Sequence, residues 1–169
     1  FTISRAPHER YLSISTRIFT KRSSFKNALN NLKVGDEIFA KGPDGDFVIE
    51  NTKQKSVFLA GGIGITPYRS IILEHAYRKK PLKFTLIYSG KTSFMPFEDE
   101  LINVMNIFPH SQILKKMRIA RDDLAKFDKN SIFYVSGPDS FVEGMLELLT
   151  KMKIPEENLA FYCGTVKKK

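Results

Sequence analysis

The order of apolar and polar positions changes character near residue 55. Before it, short alternating stretches prevail. Leu12, Ile14, Thr16 and Ile18 fall on one face and Ser13, Ser15 and Arg17 on the other, the two-residue period of a half-buried strand. Residues 1–6 are also strand-like, and Pro7-His8-Glu9-Arg10 suits a hairpin connection. Phe25, Ala28, Leu29 and Leu32 follow a helical spacing, with Ser24 placed to cap that helix. Residues 37–41 and 47–49 read as short strands around the turn Gly42-Pro43-Asp44-Gly45. Together they predict the later part of a small antiparallel barrel carrying one helix. Residues 50–55 are polar and aperiodic, which sets the expected domains at 1–52 and 53–169.

From residue 56 onward apolar runs alternate with helical stretches. Strands are predicted over 57–60, 83–88, 112–116, 132–136 and 159–163, and helices over 67–79, 97–106, 122–126 and 140–152. Alternation of this kind predicts an α/β domain with a five-stranded parallel sheet covered on both faces. The expected fold class is therefore two-domain: a partial antiparallel β-barrel, then an α/β parallel-sheet domain.

Composition narrows the classes of function. With 42% hydrophobic and 27% charged residues, the chain has the balance of a globular protein. Its apolar runs, such as Ile132–Val135, are far too short to span a bilayer. No secretory signal opens the chain, so a cytoplasmic setting is expected. Cys163 is the single cysteine, which excludes an internal disulfide and a cysteine metal cluster. His8, His75 and His110 lack ligand spacing, so no metal is expected. Ser23, Ser24 and Ser136 lack a nucleophile-elbow pattern, so hydrolase chemistry is unsupported. The chain begins at Phe1 inside a strand pattern, with no initiating Met, and is expected to be N-terminally incomplete.

The formal charge of +9 favours anionic partners. The basic residues are scattered, apart from Arg78-Lys79-Lys80 and Lys167-Lys168-Lys169, and no aromatic-interleaved RNA motif occurs. Nucleic acid is therefore not an expected partner.

Candidate chemistry concentrates at residues 56–70. A buried-strand pattern ends in Gly61, Gly62 and Gly64, then Thr66-Pro67 opens a helix. Glycines let main-chain N–H groups approach a ligand, and a helix start attracts phosphate. The turn is neither a Walker loop, since Ile65-Thr66-Pro67 follows Gly64, nor a Rossmann fingerprint, since Pro67 stands where its last glycine belongs. Ser136-Gly137-Pro138 repeats the same logic at another strand end. Tyr88-Ser89-Gly90-Lys91 ends the second strand without the acid that commonly binds a ribose 2′-hydroxyl.

The ordered turns Gly61–Pro67, Tyr88-Ser89 and Ser136-Gly137-Pro138 resemble those of the ferredoxin–NADP reductase family of flavin-dependent nicotinamide oxidoreductases. Upstream, Phe1-Thr2 is similar to the end of that family's flavin motif, and Ser24-Phe25-Lys26 to its pyrophosphate-binding helix start. Lys33–Glu37 and Gly42–Phe47 are similar to the signposts that close its flavin barrel.

The resemblance implies hydride transfer between NAD(P)H and FAD, with NADP ahead of NAD, and electrons passed to an acceptor. The basic balance fits an acidic carrier such as ferredoxin or flavodoxin. It implies roles for Thr2, Thr66 and Ser136 at the reacting rings. Phe1, Thr2, Ile3 and Ser4 would meet the flavin, and Ser23, Ser24 and Phe25 its pyrophosphate. Gly61, Gly62, Gly64, Ile65, Thr66, Pro67, Gly137, Pro138 and Phe141 would hold the nicotinamide dinucleotide. Ser89 and Lys91 would take a 2′-phosphate.

Several positions depart from the family pattern. The motif's arginine would precede Phe1, and Lys21 stands where glycine is frequent. Tyr162-Cys163-Gly164-Thr165 only approximates the aromatic C-terminus. These departures motivate an alternative: a non-catalytic reductase-like module that binds a nucleotide or a partner.

Overall fold

Strands covered on both faces are continuously apolar rather than alternating. Three such segments, Ser56–Gly61, Phe84–Ser89 and Ile132–Ser136, pair with the more exposed Gln112–Lys116 and Leu159–Tyr162 in the computed structural model, which describes residues 2–18, 23–42, 47–49, 53–91 and 94–162. Contacts divide the chain into two units, Phe1–Ser15 with Phe47–Lys169, and Thr16–Asp46.

The smaller unit holds helix α1 (Ser24–Asn31). Its N-cap is Ser23 rather than Ser24: Ser23 Oγ accepts from the Lys26 amide at 3.3 Å. A capping residue must itself be extended, and Ser23 is, at φ −70° and ψ 158°, whereas Ser24 is already helical. A turn at Gly35, with φ +100°, follows the helix. Asp36 closes it by accepting from the Lys33 amide at 2.8 Å.

In the larger unit the strands are β1 (Ser56–Gly61), β2 (Phe84–Ser89), β3 (Gln112–Lys116), β4 (Ile132–Ser136) and β5 (Leu159–Tyr162). They form one sheet in the order β3-β2-β1-β4-β5, with every neighbouring pair parallel. Its helices are α2 (Thr66–Tyr77), α3 (Glu98–Asn103), α4 (Arg121–Ala125) and α5 (Asp139–Lys151). All five predicted strands and all four predicted helices of this region appear, with boundaries moved by a residue or a few. Position 163, at the end of the predicted fifth strand, lies outside the described residues.

The sheet separates two apolar layers. On one face Phe58, Phe84, Leu86 and Tyr134 pack with Tyr68 and Ile72 of α2 and Leu101 of α3. On the other, Val57, Leu59, Phe133 and Val135 pack with Leu124 of α4 and Val142 and Leu149 of α5. Phe58 lies between the rings of Tyr68 and Phe84, with centroids 4.8 and 5.5 Å away. The fully buried Tyr68 hydroxyl donates to the carbonyls of Tyr134 at 2.8 Å and Leu59 at 3.2 Å. Burial pushes the Tyr68 phenol well above its ordinary pKa.

Residues before 56 depart from the strand pattern. Among the described residues no ladder forms there; one antiparallel bridge joins Ile3 to Ile14. The hairpin connection itself appears, with the Ser4 amide donating to the Ser13 carbonyl at 2.8 Å and the Glu9 amide to that of Ala6 at 3.0 Å. An isolated two-stranded ribbon is marginal, and here serine side chains supply bonds that a ladder would otherwise make. Segments 37–41 and 47–49 are not strands either, and of the predicted turn Gly42-Pro43-Asp44-Gly45 only Gly42, with φ +108°, lies within the described residues.

Phe58→Ala removes a ring from the centre of the aromatic stack, so it is expected to cost about 3–5 kcal/mol in denaturant unfolding. Val34→Ala, at a wholly exposed position, is expected to stay within about 0.5 kcal/mol.

Candidate active site

From β1 the chain moves outward through β2 to β3, then crosses back to place β4 and β5 on the other side. The strand order therefore reverses between β1 and β4. In open α/β sheets a crevice opens there, beyond the carboxyl ends of the strands. Both glycine turns arrive at this place. Gly61 ends β1, and the 3-10 turn Gly62–Ile65 leads into α2. Ser136 ends β4, and Gly137-Pro138 leads into α5.

The two turns are in contact. A Cβ on Gly64 would lie 2.2 Å from the Ser136 carbonyl oxygen and 2.6 Å from Gly137 Cα. On Gly61 it would meet the Phe141 ring at 2.6 Å, and on Gly137 the same ring at 2.7 Å. These three glycines let main chain and an aromatic ring approach each other. Gly62 differs: it has φ +54° and nothing within 4 Å of a Cβ. It is the bare, left-handed point of the crevice, a conformation that side-chain-bearing residues rarely adopt.

Ile65, Thr66, Pro67 and Ser136 are buried beneath this surface. The Thr66 hydroxyl donates to the Ile63 carbonyl at 3.1 Å, so its proton is used within the turn. Pro67 sits in the first turn of α2, where its missing N–H costs nothing. Ser89 pairs with Gly61 across the β1–β2 register, which puts the second strand's end beside the crevice. Its hydroxyl donates to the Met117 carbonyl at 3.1 Å and keeps its acceptor lone pairs. Lys91 is exposed just beyond. Nearby, Lys115 and Lys116 are paired with Glu98 and Asp123 at 2.6 and 2.7 Å. The Lys116 bond holds the Asp123 carboxyl below its usual range.

The other candidates divide by unit. Ser23, Ser24 and Phe25 stand at the start of α1 in the smaller unit, and that helix has no acid in its first turn. Thr2, Ile3 and Ser4 belong to the larger unit, and Phe1 lies outside the described residues. Thr2 and Ile3 are half-buried and Ser4 is buried. The Ser4 hydroxyl is engaged internally, with Ser13 Oγ at 2.9 Å and Ser15 Oγ at 3.0 Å.

The sequence reading missed Arg69. Its side chain, 6% exposed, donates from Nη1 to the Ser4 carbonyl at 2.7 Å and to Glu9 Oε2 at 2.8 Å. Nη2 donates to Glu9 Oε1 at 3.0 Å and to Glu100. The guanidinium carbon lies 5.1 Å from the centroid of the Phe97 ring. Arg69 bonds overcome burial and pull the Glu9 carboxyl down to about 2, with the Ala6 amide assisting. The Glu9 bond in turn raises the guanidinium's pKa. A signal existed: Ile65, Tyr68, Ile72 and Ala76 form the buried stripe of α2, and Arg69 falls inside that stripe. A charge at such a position implies buried partners.

No protein-family profile matches the chain. Flavohemoprotein A of Dictyostelium discoideum is 27% identical over 179 residues, covering 95% of this chain and 45% of that protein. The carnitine monooxygenase reductase subunit of Escherichia coli K12 is 27% identical over 135 residues, covering 77% of this chain and 41% of that one. Ferredoxin-NADP+ reductase from Plasmodium falciparum superposes with a TM-score of 0.80 at 18% identity, covering 97% of this chain and 76% of that structure. At that identity the superposition speaks for the fold. The chain spans less than half the length of the curated relatives it matches.

Thermal unfolding is expected to rank the glycine variants. Gly62→Ala should cost about 1–2 kcal/mol, the strain of a left-handed residue. Gly64→Ala should cost about 3 kcal/mol or more, because main chain cannot move aside as a flexible side chain can. Glu9 makes acid sensitivity predictable. Its folded pKa, about 2, lies below the ordinary 4.5, so its contribution is complete above pH 4.5 and fades as pH falls through 2. The urea midpoint gap between wild type and Glu9→Gln should accordingly shrink across that window.

Proposed function

We propose that this chain, which belongs to the ferredoxin–NADP reductase family, passes hydride between a nicotinamide dinucleotide and FAD and relays the electrons to an acidic acceptor. The observation that carries this reading is the contact of two glycine turns at the reversal point of the parallel sheet, with Gly62 left bare. A flat ring needs such a surface, because reacting atoms must come within about 3–3.5 Å of each other. When bound, FAD supplies the redox chemistry, and the protein supplies orientation and electrostatics.

The residues present suit this cargo. The N-terminal end of α2, next to the bare Gly62, would hold the dinucleotide's phosphates. Ser136 and Thr66 would frame the nicotinamide, their small side chains leaving room for it. Thr2 would hydrogen-bond the edge of the flavin, and Ile3 with Ser4 would keep that segment extended. The capped N-terminus of α1, with Ser23 and Ser24, would face the flavin pyrophosphate. On this reading residues 1–52 are the later part of a flavin-binding barrel and 53–169 the NAD(P)-binding domain.

Ser89 and Lys91 favour NADP over NAD. The sequence Tyr88-Ser89-Gly90-Lys91 carries no acid, and Lys91 is a cation just past the strand end that adjoins Gly61. The net charge of +9 would steer an acidic electron carrier such as ferredoxin or flavodoxin toward the protein.

The full-length protein, reconstituted with FAD, is expected to lose its flavin absorbance when mixed anaerobically with NADPH. Absorbance that persists with both NADPH and NADH would sink the oxidoreductase reading and favour the binding module. In the same assay Lys91→Ala is expected to raise the NADPH KM about tenfold, or about 1.4 kcal/mol, with little change for NADH. An unchanged NADPH KM would remove Lys91 from the 2′-phosphate site.

A further inference from the structure

We propose that Arg69 is a positioning residue: it clasps the Ser4 carbonyl, Glu9 and Glu100 together, so that the Thr2–Ser4 segment keeps a fixed register with the glycine turn that opens α2. Arg69 stands in the first turn of α2, three residues after Thr66. Any displacement of that helix start is carried to the guanidinium. Two of the guanidinium nitrogens reach parts of the chain separated by 65, 60 and 31 residues in sequence. The bond to Ser4 is to main chain, at 2.7 Å, and so fixes the strand itself. Thr2 is two residues away, about 7 Å along an extended chain.

Neighbouring bonds reinforce the clasp. Ser70 Oγ donates to the Arg5 carbonyl at 2.8 Å. The Ala6 amide donates to Glu9 Oε2 at 2.6 Å, and Arg5 Nη1 to Glu9 Oε1 at 3.1 Å. On the other side, Phe97 lies against the guanidinium in a left-handed conformation, φ +62°, at the start of α3. Glu100, in the first turn of that helix, completes the grip. The clasp therefore joins the N-terminal hairpin, α2 and the start of α3.

A packing role alone would not need this arrangement. An apolar side chain of similar volume fills a buried site without the desolvation cost of ions, and such replacements are often neutral or stabilising. A planar fork gives direction: its paired bonds to one carboxylate fix angle as well as distance. The effect on rate rests on the hydride-transfer reading, since a misplacement of about 1 Å can cost a hundredfold.

Two variants of the FAD-loaded full-length protein test this. Arg69→Lys keeps the charge and loses the fork; Arg69→Met keeps the volume and loses both. Arg69→Lys is expected to lower kcat for flavin reduction at least tenfold while the KM for the nicotinamide dinucleotide stays within twofold. Amide hydrogen exchange at Ser4 and Ala6 should accelerate in both variants, with Leu59 and Val135 in the sheet unchanged. Unaltered exchange at Ser4 and Ala6 would show that Arg69 holds nothing there. Exchange that rises equally across the sheet would reduce Arg69 to a general stabiliser. Faster local exchange with wild-type kcat would show that the register does not matter for transfer. If the wild type fails to reduce flavin, the oxidoreductase reading falls, and the exchange pattern still decides whether the clasp exists.

Discussion

The structure of the sheet-bearing unit depends on one close approach, that of Gly64 to the Ser136 carbonyl and Gly137. It is made where side chains are missing, and a single Cβ would bring atoms to 2.2 Å. Main-chain contact of this kind is unforgiving because neither side has a rotamer to change. The apolar layers beneath it are different in kind. Phe58, Tyr68, Phe84 and Tyr134 form an aromatic cluster on one face of the sheet, and such cores tolerate replacements that keep volume. The layers hold the strands in place; the glycine contact sets how near the ends of β1 and β4 can come.

That distinction changes the meaning of a glycine-rich turn. Glycines at a strand end invite the inference that all of them face a ligand. Here Gly61, Gly64 and Gly137 are consumed in bringing the turns and the Phe141 ring together, and Gly62 carries the half-buried left-handed point with open space beside it. The open surface at the turn is thus produced indirectly. Three positions draw the scaffold shut so that a fourth can remain bare beside the helix start. The Thr66 hydroxyl follows the same economy: its proton stabilises the turn at Ile63.

The α/β region was legible because its signals are local. Continuous apolar runs, a Pro at a helix start and acids in the first turns of α3 and α4 each fix an element within a few residues. The cap of α1 was misplaced by one residue because Ser23 and Ser24 are chemically identical, and only backbone conformation separates a cap from a first helical residue. The strands before residue 56 were over-read because alternation reports a half-buried surface and does not supply the neighbour that a ladder needs. In the hairpin, Ser4, Ser13 and Ser15 bond one another, a use of alternating serines that a two-residue period cannot distinguish from solvent exposure. Arg69 was missed for a related reason. Its partners lie 60 and 31 residues away, and no local pattern announces them.

The sign of the buried cluster also has a physical cause. Arg69 stands in the first turn of α2, where the positive end of the helix dipole disfavours a cation. A lone arginine there would meet both the desolvation cost and that field. Glu9 and Glu100 answer the two together: they accept from both Nη atoms of the guanidinium and bring negative charge to the helix start, where Arg5 also pairs with Glu9. Glu9 bears most of this task, since it alone is bonded through both oxygens and is itself only 16% exposed. Glu100, at 47%, remains largely in water and contributes less per bond. The N-terminal hairpin is therefore held chiefly by a buried pair that is matched to the polarity of the helix it grips, and the α3 contact adds direction more than strength.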